Sequence, residues 1–163
     1  MPLFFPSSTS VYLSDEPSNF ESPIKTVPKN SYAKVKKMEE EYLINLSSEG
    51  LHFKIMRFGT ITGVSPGMRF HTAVNSFCLS HALGRPIKVW GNSLLTKRPY
   101  LSLNDASKAI SFFLDKKLGE KIILDVVTSN LDLKTIFNFI EKKSNKEVKY
   151  VFDKNDKIGR AHV

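Results

Sequence analysis

The sequence has few of the side chains that bind metals or form covalent cross-links. Among its 163 residues there is one cysteine, Cys78, and the four histidines show no metal-ligand spacing. These shortages exclude an internal disulfide and a cysteine-based zinc cluster, and we expect no metal site. Because stable disulfides belong to oxidising compartments, a single thiol favours a reducing, cytoplasmic location.

Long hydrophobic runs are also missing. No apolar stretch approaches the roughly 20 residues that cross a membrane, and residues 1–6 are too short and too uncharged to resemble a signal peptide. With 41% hydrophobic and 25% charged residues, the composition is that of an ordinary globular domain. We therefore expect no membrane partner.

Acidic residues are the minority among the charges, because 24 Lys and Arg oppose 16 Asp and Glu and give a formal net charge of +8. The basic residues are scattered along the chain, whereas nucleic-acid-binding domains cluster them, often with aromatic residues. We expect no nucleic-acid partner and keep a basic nucleic-acid-binding module as the weaker alternative. A lysine-rich surface also suits a small anionic ligand.

Hydrophobic periodicity predicts strands that alternate with helices, the pattern of a parallel α/β sheet. Strands are indicated at residues 3–5, 51–58, 86–90, 121–127 and 148–152, and helices at about 31–49, 71–83, 104–116 and 132–143. The first helix has Asn30 or Ser31 as its cap and Gly50 as its stop. Its predicted buried face consists of Val35, Met38, Tyr42 and Leu46.

Tyr32 and Lys36 stand four residues apart at the start of that helix. Four residues make about one helical turn, so both side chains lie on the same face. A cation beside a phenol favours the phenolate, the form that accepts a proton in catalysis. The spacing alone is weak evidence, because lysines are abundant in this chain.

The motifs around this pair supply the missing context. A strand runs into Ser-Ser-Thr-Ser-Val-Tyr at residues 7–12, and Tyr32 follows about two dozen residues later. Next come Arg-Phe-Gly at 57–59, a glycine-rich loop to Gly67, Ile-Lys-Val-Trp-Gly at 87–91, and a segment from Arg98 to Asp105. This order resembles the extended short-chain dehydrogenase/reductase family, the NAD-dependent sugar epimerases and dehydratases, over residues 3–152.

The resemblance implies roles for individual residues. Tyr32 would transfer the proton, Lys36 would favour its phenolate and hold the nicotinamide ribose, and Ser8 would bond the reacting sugar oxygen, with Ser7 as its competitor. The backbone of Phe58 would neighbour the nicotinamide. The implied nucleotide-sugar contacts are Thr60, Arg69, Asn75 and, on the diphosphate, Arg98. Asp105 more simply caps its helix.

Two departures from the family pattern limit these expectations. Thr9 and Ser10 stand where the sugar dehydratases of the family carry acidic residues, which disfavours dehydration. The chain also has no Gly-x-x-Gly-x-x-Gly turn, which in the family cradles the pyrophosphate of NAD. NAD is the implied cofactor, with NADP possible, but its binding turn would have to lie upstream.

The predicted fold class is therefore α/β: the carboxyl-side part of a Rossmann-like parallel sheet plus a small mixed α/β substrate-binding region. Residues 1–58 would carry the catalytic part, 59–118 mainly the substrate-binding region, and 119–157 the last sheet strand, a helix and a substrate-region strand. Residues 158–163 match the translation of ATC GGA AGA GCA CAC GTC, which resembles a sequencing adapter, so we expect an artefactual tail.

The predicted function is that of an amino-terminally truncated NAD-dependent nucleotide-sugar epimerase, inactive as this fragment, whose full-length form is a possible homodimer. One alternative is an NAD(P)-dependent reductase of a non-sugar carbonyl. The other is a catalytically inactive remnant.

Overall fold

The computed structural model describes residues 3–12, 28, 30–90, 94–114 and 121–153. Its strands are β1 (Leu3–Ser8), β2 (Phe53–Phe58), β3 (Thr60–Thr62), β4 (Ile87–Trp90), β5 (Arg98–Ser102), β6 (Lys121–Val126), β7 (Ser129–Leu131) and β8 (Tyr150–Asp153). Its helices are α1 (Ser31–Leu46), α2 (Ala73–Ala82), α3 (Leu103–Leu114) and α4 (Leu133–Ser144). The predicted tail at 158–163 lies outside the described residues.

The described residues divide into two compact units, of which 3–12, 28, 30–59, 104–114 and 121–126 form the first. Its sheet has the order β1-β2-β6 with all neighbours parallel, as predicted for a Rossmann-like sheet. Parallel neighbours need a crossover connection, which α1 provides between β1 and β2. Leu43 of α1 packs with Phe53 and Ile55 of β2 to form the core above this sheet.

Helix α1 begins as predicted and ends at Leu46, where a 3₁₀ turn at residues 47–49 continues to the predicted stop at Gly50, but it buries a different face. Asn30 caps it by accepting the Ala33 N–H at 2.8 Å, and the chain leaves through Gly50 at a φ of 94°. The buried residues of α1 are Ala33, Glu40 and Leu43. The predicted buried face was therefore wrong, because 51%, 66% and 64% of Val35, Met38 and Tyr42 are exposed.

The second unit, which among the described residues comprises 60–90, 94–103 and 127–153, contains two small sheets. In one, β5 lies between parallel β3 and antiparallel β7, and in the other β4 runs parallel to β8. The sequence pattern missed β3, β5 and β7 because they are only three to five residues long, too short for an alternation to stand out. Helix α4 closes the core through Leu133, Ile136 and Phe137, in contact with Ile87, Val89, Tyr100 and Val148.

The amino terminus of α4 has a charged cap that titrates. Asp132 accepts the Thr135 N–H at 2.7 Å, and this bond lowers the pKa of the Asp132 carboxyl below its ordinary value of 3.8. A depressed folded-state pKa means that the carboxylate stabilises α4 above the unfolded-state pKa, and that this contribution disappears as the pH falls through the folded-state pKa.

We therefore expect a carbon-13 titration of the Asp132 side chain to have its midpoint below 3.8. In Asp132→Asn the cap remains, because Asn accepts the same N–H, but the acid-dependent loss of amide protection at the start of α4 disappears. A midpoint at or above the ordinary value would contradict the cap.

Candidate active site

Ser8 lies at the carboxyl end of β1, the edge of a parallel sheet where ligands bind in open α/β folds. It begins a 3₁₀ turn at residues 9–11, and its hydroxyl oxygen accepts the Ser10 N–H at 3.2 Å and the Ser10 hydroxyl at 2.8 Å. The Thr9 hydroxyl donates to the Phe58 carbonyl at 3.3 Å. The Thr9 bond joins the turn after β1 to the end of β2, so the predicted site residues Ser8 and Phe58 lie at neighbouring strand ends.

Tyr32 and Lys36 lie one turn apart on α1, which packs against β1 and the turn after it. The Tyr32 side chain is 45% exposed. The Lys36 ammonium donates to the Pro6 carbonyl at 3.3 Å, pairs with Glu39 at 3.0 Å and lies 4.7 Å from the centre of the Phe5 ring. The predicted lysine is thus in direct contact with the strand that ends at Ser8.

Ser7, the competitor of Ser8, has a different environment. Its side chain is buried, and its hydroxyl donates to the carboxylate of Glu40, which is 1% exposed. Arg57 holds both oxygens of the same carboxylate, with Nε 2.9 Å from Oε1 and Nη2 2.6 Å from Oε2. Because its proton is engaged in this buried pair, Ser7 is less available to a ligand than Ser8.

The Glu40–Arg57 pair is connected to Tyr12 and Asp125 by further hydrogen bonds. Arg57 Nη1 donates to the Tyr12 hydroxyl at 2.6 Å, and that hydroxyl donates to Asp125 at 2.9 Å. Burial raises the pKa of both Tyr12 and Asp125, with Asp125 adding to the rise at Tyr12. Burial alone would lower the pKa of Arg57, but its bonds to Glu40 and Tyr12 raise it overall, so the guanidinium stays charged.

Sequence reasoning missed the five-residue group Ser7, Glu40, Arg57, Tyr12 and Asp125, which we call the polar network; it extends from the buried Ser7 and Glu40 to the exposed Asp125. One signal was available, because Glu40 follows Lys36 by four residues and therefore shares the helix face of Tyr32 and Lys36. Spacing could show the shared face but not the arginine that neutralises the buried carboxylate.

The remaining predicted residues lie in the second unit. Thr60, Arg69 and Arg98 are exposed, in β3, in the loop before α2 and at the start of β5. Asn75 is 6% exposed, and its amide both accepts the Thr62 hydroxyl at 3.1 Å and donates to the Arg69 carbonyl at 3.1 Å. Asn75 therefore fixes the loop that carries Arg69.

Two further residues, Gly63 and Asp105, belong to the glycine-rich loop and to the start of α3. Gly63, in the glycine-rich loop, has a φ of 143°, and a Cβ there would stand 3.0 Å from the Leu103 side chain, so both conformation and space require glycine. Asp105 was expected to cap the next helix. That expectation was wrong, because α3 already begins at Leu103 and Asp105 lies within its first turn, 3.8 Å from the Lys108 ammonium.

In the described part of the chain, no three His, Cys, Asp or Glu side chains converge on a common point. Within the same residues, no helix combines the length and apolarity needed to cross a membrane. A cavity of about 580 Å³ lies between α2 and α4 of the second unit, lined mainly by apolar side chains, and it contains none of the predicted site residues.

A parallel sheet with a serine at one strand end and a Tyr-x-x-x-Lys pair on the next helix is the arrangement that the resemblance to the extended short-chain dehydrogenases implied. The sequence also matches the model of the NAD dependent epimerase/dehydratase family over residues 2–125. The chain belongs to this family of enzymes. Its comparison with curated protein sequences gives no match.

Solved structures of similar fold include several nucleotide-sugar enzymes. UDP-glucuronic acid 4-epimerase from Bacillus cereus, in complex with UDP-glucuronic acid and NAD, is 19% identical, with a TM-score of 0.77 over 91% of this chain and 47% of that chain. UDP-glucose 4-epimerase from Thermus thermophilus, in complex with NAD, is 20% identical, with a TM-score of 0.75 over 98% and 54%.

A dTDP-glucose 4,6-dehydratase from Bacillus anthracis, in complex with NAD, is 17% identical, with a TM-score of 0.76 over 95% of this chain and 50% of that chain. At these identities the likeness concerns the fold. The chain spans about half the length of the solved structures that it matches.

The Asn75 contacts lead to a prediction about the Arg69 loop. Replacing Asn75 by Ala removes two hydrogen bonds, one from the part-buried Thr62 hydroxyl and one to the Arg69 carbonyl, so we expect the free energy of unfolding to fall by about 1–3 kcal/mol. Urea denaturation followed by circular dichroism measures this. Asn45→Ala, on the exposed end of α1, is the control and should change stability by less than about 0.5 kcal/mol. Equal effects would contradict the role of Asn75.

Proposed function

We propose that this chain is the catalytic and substrate-binding part of an NAD-dependent nucleotide-sugar epimerase. The observation that carries the proposal is the contact of Lys36 with β1, since it brings the Tyr32–Lys36 face of α1 to the strand that ends at Ser8. The family membership and the motif order support the same reading.

In this proposal Tyr32, as phenolate, takes the proton from a sugar hydroxyl, and Ser8 holds the oxygen of that hydroxyl through its own O–H. NAD supplies the chemistry of reversible hydride transfer at the carbon that bears this oxygen. The keto sugar then presents its opposite face, and Tyr32 returns the proton to the oxygen. Lys36 lies one turn further along the same helix face and, in this proposal, holds the nicotinamide ribose.

The described residues fit the nicotinamide end of the cofactor. An ammonium has three donors, and Lys36 uses two of them on Pro6 and Glu39, so one is left for a ribose hydroxyl. The backbone at Phe58 ends β2 beside Ser8 and provides the neighbouring wall. The cradle for the pyrophosphate is not among these residues, so we propose that a part of the protein outside this chain supplies it.

The substrate would be a nucleotide sugar, held by the second unit. Arg98 is exposed and offers a guanidinium whose planar fork suits a diphosphate. Thr60 and Arg69 would add contacts, and Asn75 would act by fixing the loop of Arg69. The cytoplasmic location stays part of the proposal and rests on the single cysteine.

A Tyr32→Phe substitution in the complete enzyme tests the proposal. It removes the proton-transfer group and should lower kcat for interconversion of UDP-glucose and UDP-galactose, or of the matching uronic acids, by about 10²–10⁴-fold. Tyr150→Phe, at a tyrosine of β8 that is exposed to the same extent (44% against 45% for Tyr32), is the matched control and should leave kcat unchanged.

The same assay separates the alternatives. Formation of the epimer without a net change in the amount of NADH supports an epimerase. A net change in NADH absorbance would instead indicate a reductase. Turnover that is unaffected by Tyr32→Phe would contradict the assigned role, and a complete wild-type enzyme without turnover would favour an inactive remnant.

The exposed apolar face of α1 is suited to an interface with a second copy of the enzyme. Val35, Met38 and Tyr42 form an apolar stripe at helical spacing, and in the family that the chain resembles the dimer is formed by helix pairs. We expect sedimentation equilibrium of the complete enzyme to give a dimer and Met38→Glu to shift it to a monomer by placing a charge in the interface. A monomeric wild type would exclude this use of the stripe.

A further inference from the structure

The carboxylate of Glu40 is a buried charge with all its contacts inside the protein. It is 1% exposed, its Oε1 accepts from the Ser7 hydroxyl and from Arg57 Nε, and its Oε2 accepts from Arg57 Nη2. Two parallel N–H···O bonds between guanidinium and carboxylate fix both the distance and the relative orientation of the groups. Glu40 thus attaches α1 rigidly to β2 through Arg57 and to β1 through Ser7.

The network occupies one row of the parallel sheet. Ser7 is in register with Arg57, and Arg57 is in register with Asp125, so the row crosses β1, β2 and β6. Tyr12 closes it by bridging Arg57 and Asp125. The row therefore fixes the last residues of all three strands relative to one another.

The next row of the sheet carries residues of the proposed site. Ser8 is in register with Phe58, and successive side chains of a strand point to opposite faces. Ser7 and Arg57 consequently hold the backbone immediately before Ser8 and Phe58 from the face where α1 packs. A shift in the first row would move the second row with it.

The same helix face also carries the proposed proton-transfer pair. Tyr32, Lys36 and Glu40 are spaced by four residues, which places them one turn apart along one face. Lys36 contacts the Pro6 carbonyl and Glu40 contacts Ser7, so two successive turns of α1 are tied to two successive residues of β1. Rotation or sliding of the helix would have to break both ties.

We propose that Glu40 and Arg57 are positioning residues, which set the Tyr32–Lys36 face of α1 in register with Ser8 and Phe58. The physical reason is that a buried ion pair adds little net stability compared with apolar packing, while its fixed geometry is suited to setting register. The inference rests on the proposed function for its catalytic consequence. Its structural part, the placement of Ser8 by Glu40, holds independently.

The first experiment uses the present chain and needs no activity. In Glu40→Gln, the amide group keeps the shape of the side chain but turns an N–H donor toward the guanidinium or the Ser7 hydroxyl. We expect the nitrogen-15 amide resonances of Ser8, Ser10 and Phe58 to shift and their hydrogen-exchange protection to fall at least about tenfold more than that of the β2 core. Glu41→Gln, the next residue of α1, whose carboxylate forms an exposed pair with Lys37, is the matched control and should leave all three unchanged.

A uniform loss of protection across the first unit, or equal effects of the two substitutions, would overturn the inference, because either outcome means that Glu40 only contributes stability. If Glu40→Gln does not fold, Ser7→Ala carries the test, since it removes one bond to the carboxylate and leaves the ion pair intact. It should shift the Ser8 amide without changing the Arg57 Nε resonance. An unshifted Ser8 amide would count against the proposal.

The second experiment measures kcat and KM in the complete enzyme. A displaced catalytic group lowers kcat by up to about 100-fold per ångström, so we expect Glu40→Gln to lower kcat about 10- to 100-fold with KM for the nucleotide sugar changed less than threefold. A rise in KM alone would contradict positioning. An inactive wild type would refute the proposed function instead, and the amide measurements would still decide whether Glu40 positions Ser8.

Discussion

The bidentate pair between Glu40 and Arg57 is the interaction on which the arrangement of the first unit depends. A carboxylate on α1 and a guanidinium on β2 can be buried together only if their geometry satisfies nearly every donor and acceptor. Ser7, Tyr12 and Asp125 supply further hydrogen-bond partners in the network. The pair therefore also fixes the positions of β1, β6 and the turn after β1. Apolar packing around Leu43 and Ile55 holds the same elements together but tolerates small shifts that the charged network does not.

In the proposed function the two units have different tasks. The first contains the parallel sheet with Ser8, Tyr32 and Lys36, the residues to which we assign the acid-base chemistry. The second is built from short strands and carries the exposed Arg69 and Arg98, which suit anionic groups. In the second unit a buried asparagine, Asn75, orders the Arg69 loop, as the ion pair orders the strand ends in the first.

Much of the fold was predictable because it depends on local patterns. Capping by Asn30, the stop at Gly50 and the alternation of strands with helices are encoded by neighbouring residues, and the structure confirms them. The buried face of α1 was predicted wrongly because hydrophobicity ranked Val35, Met38 and Tyr42 above a face that includes a glutamate. The short strands β3, β5 and β7 were missed because their pairing partners, rather than their own residues, make them strands.

The sequence by itself determined the family: the order of the Ser-Ser motif, the Tyr-x-x-x-Lys pair and the Arg-Phe-Gly segment is a linear property, and the family model matches residues 2–125. Only the tertiary structure decided which of two adjacent serines is engaged and what role Tyr12, Glu40 and Arg57 have. The physical reason is that the cost of burying a carboxylate depends on its partners, and Ser7 and Arg57 reach Glu40 only when β1 and β2 pair in parallel beneath α1.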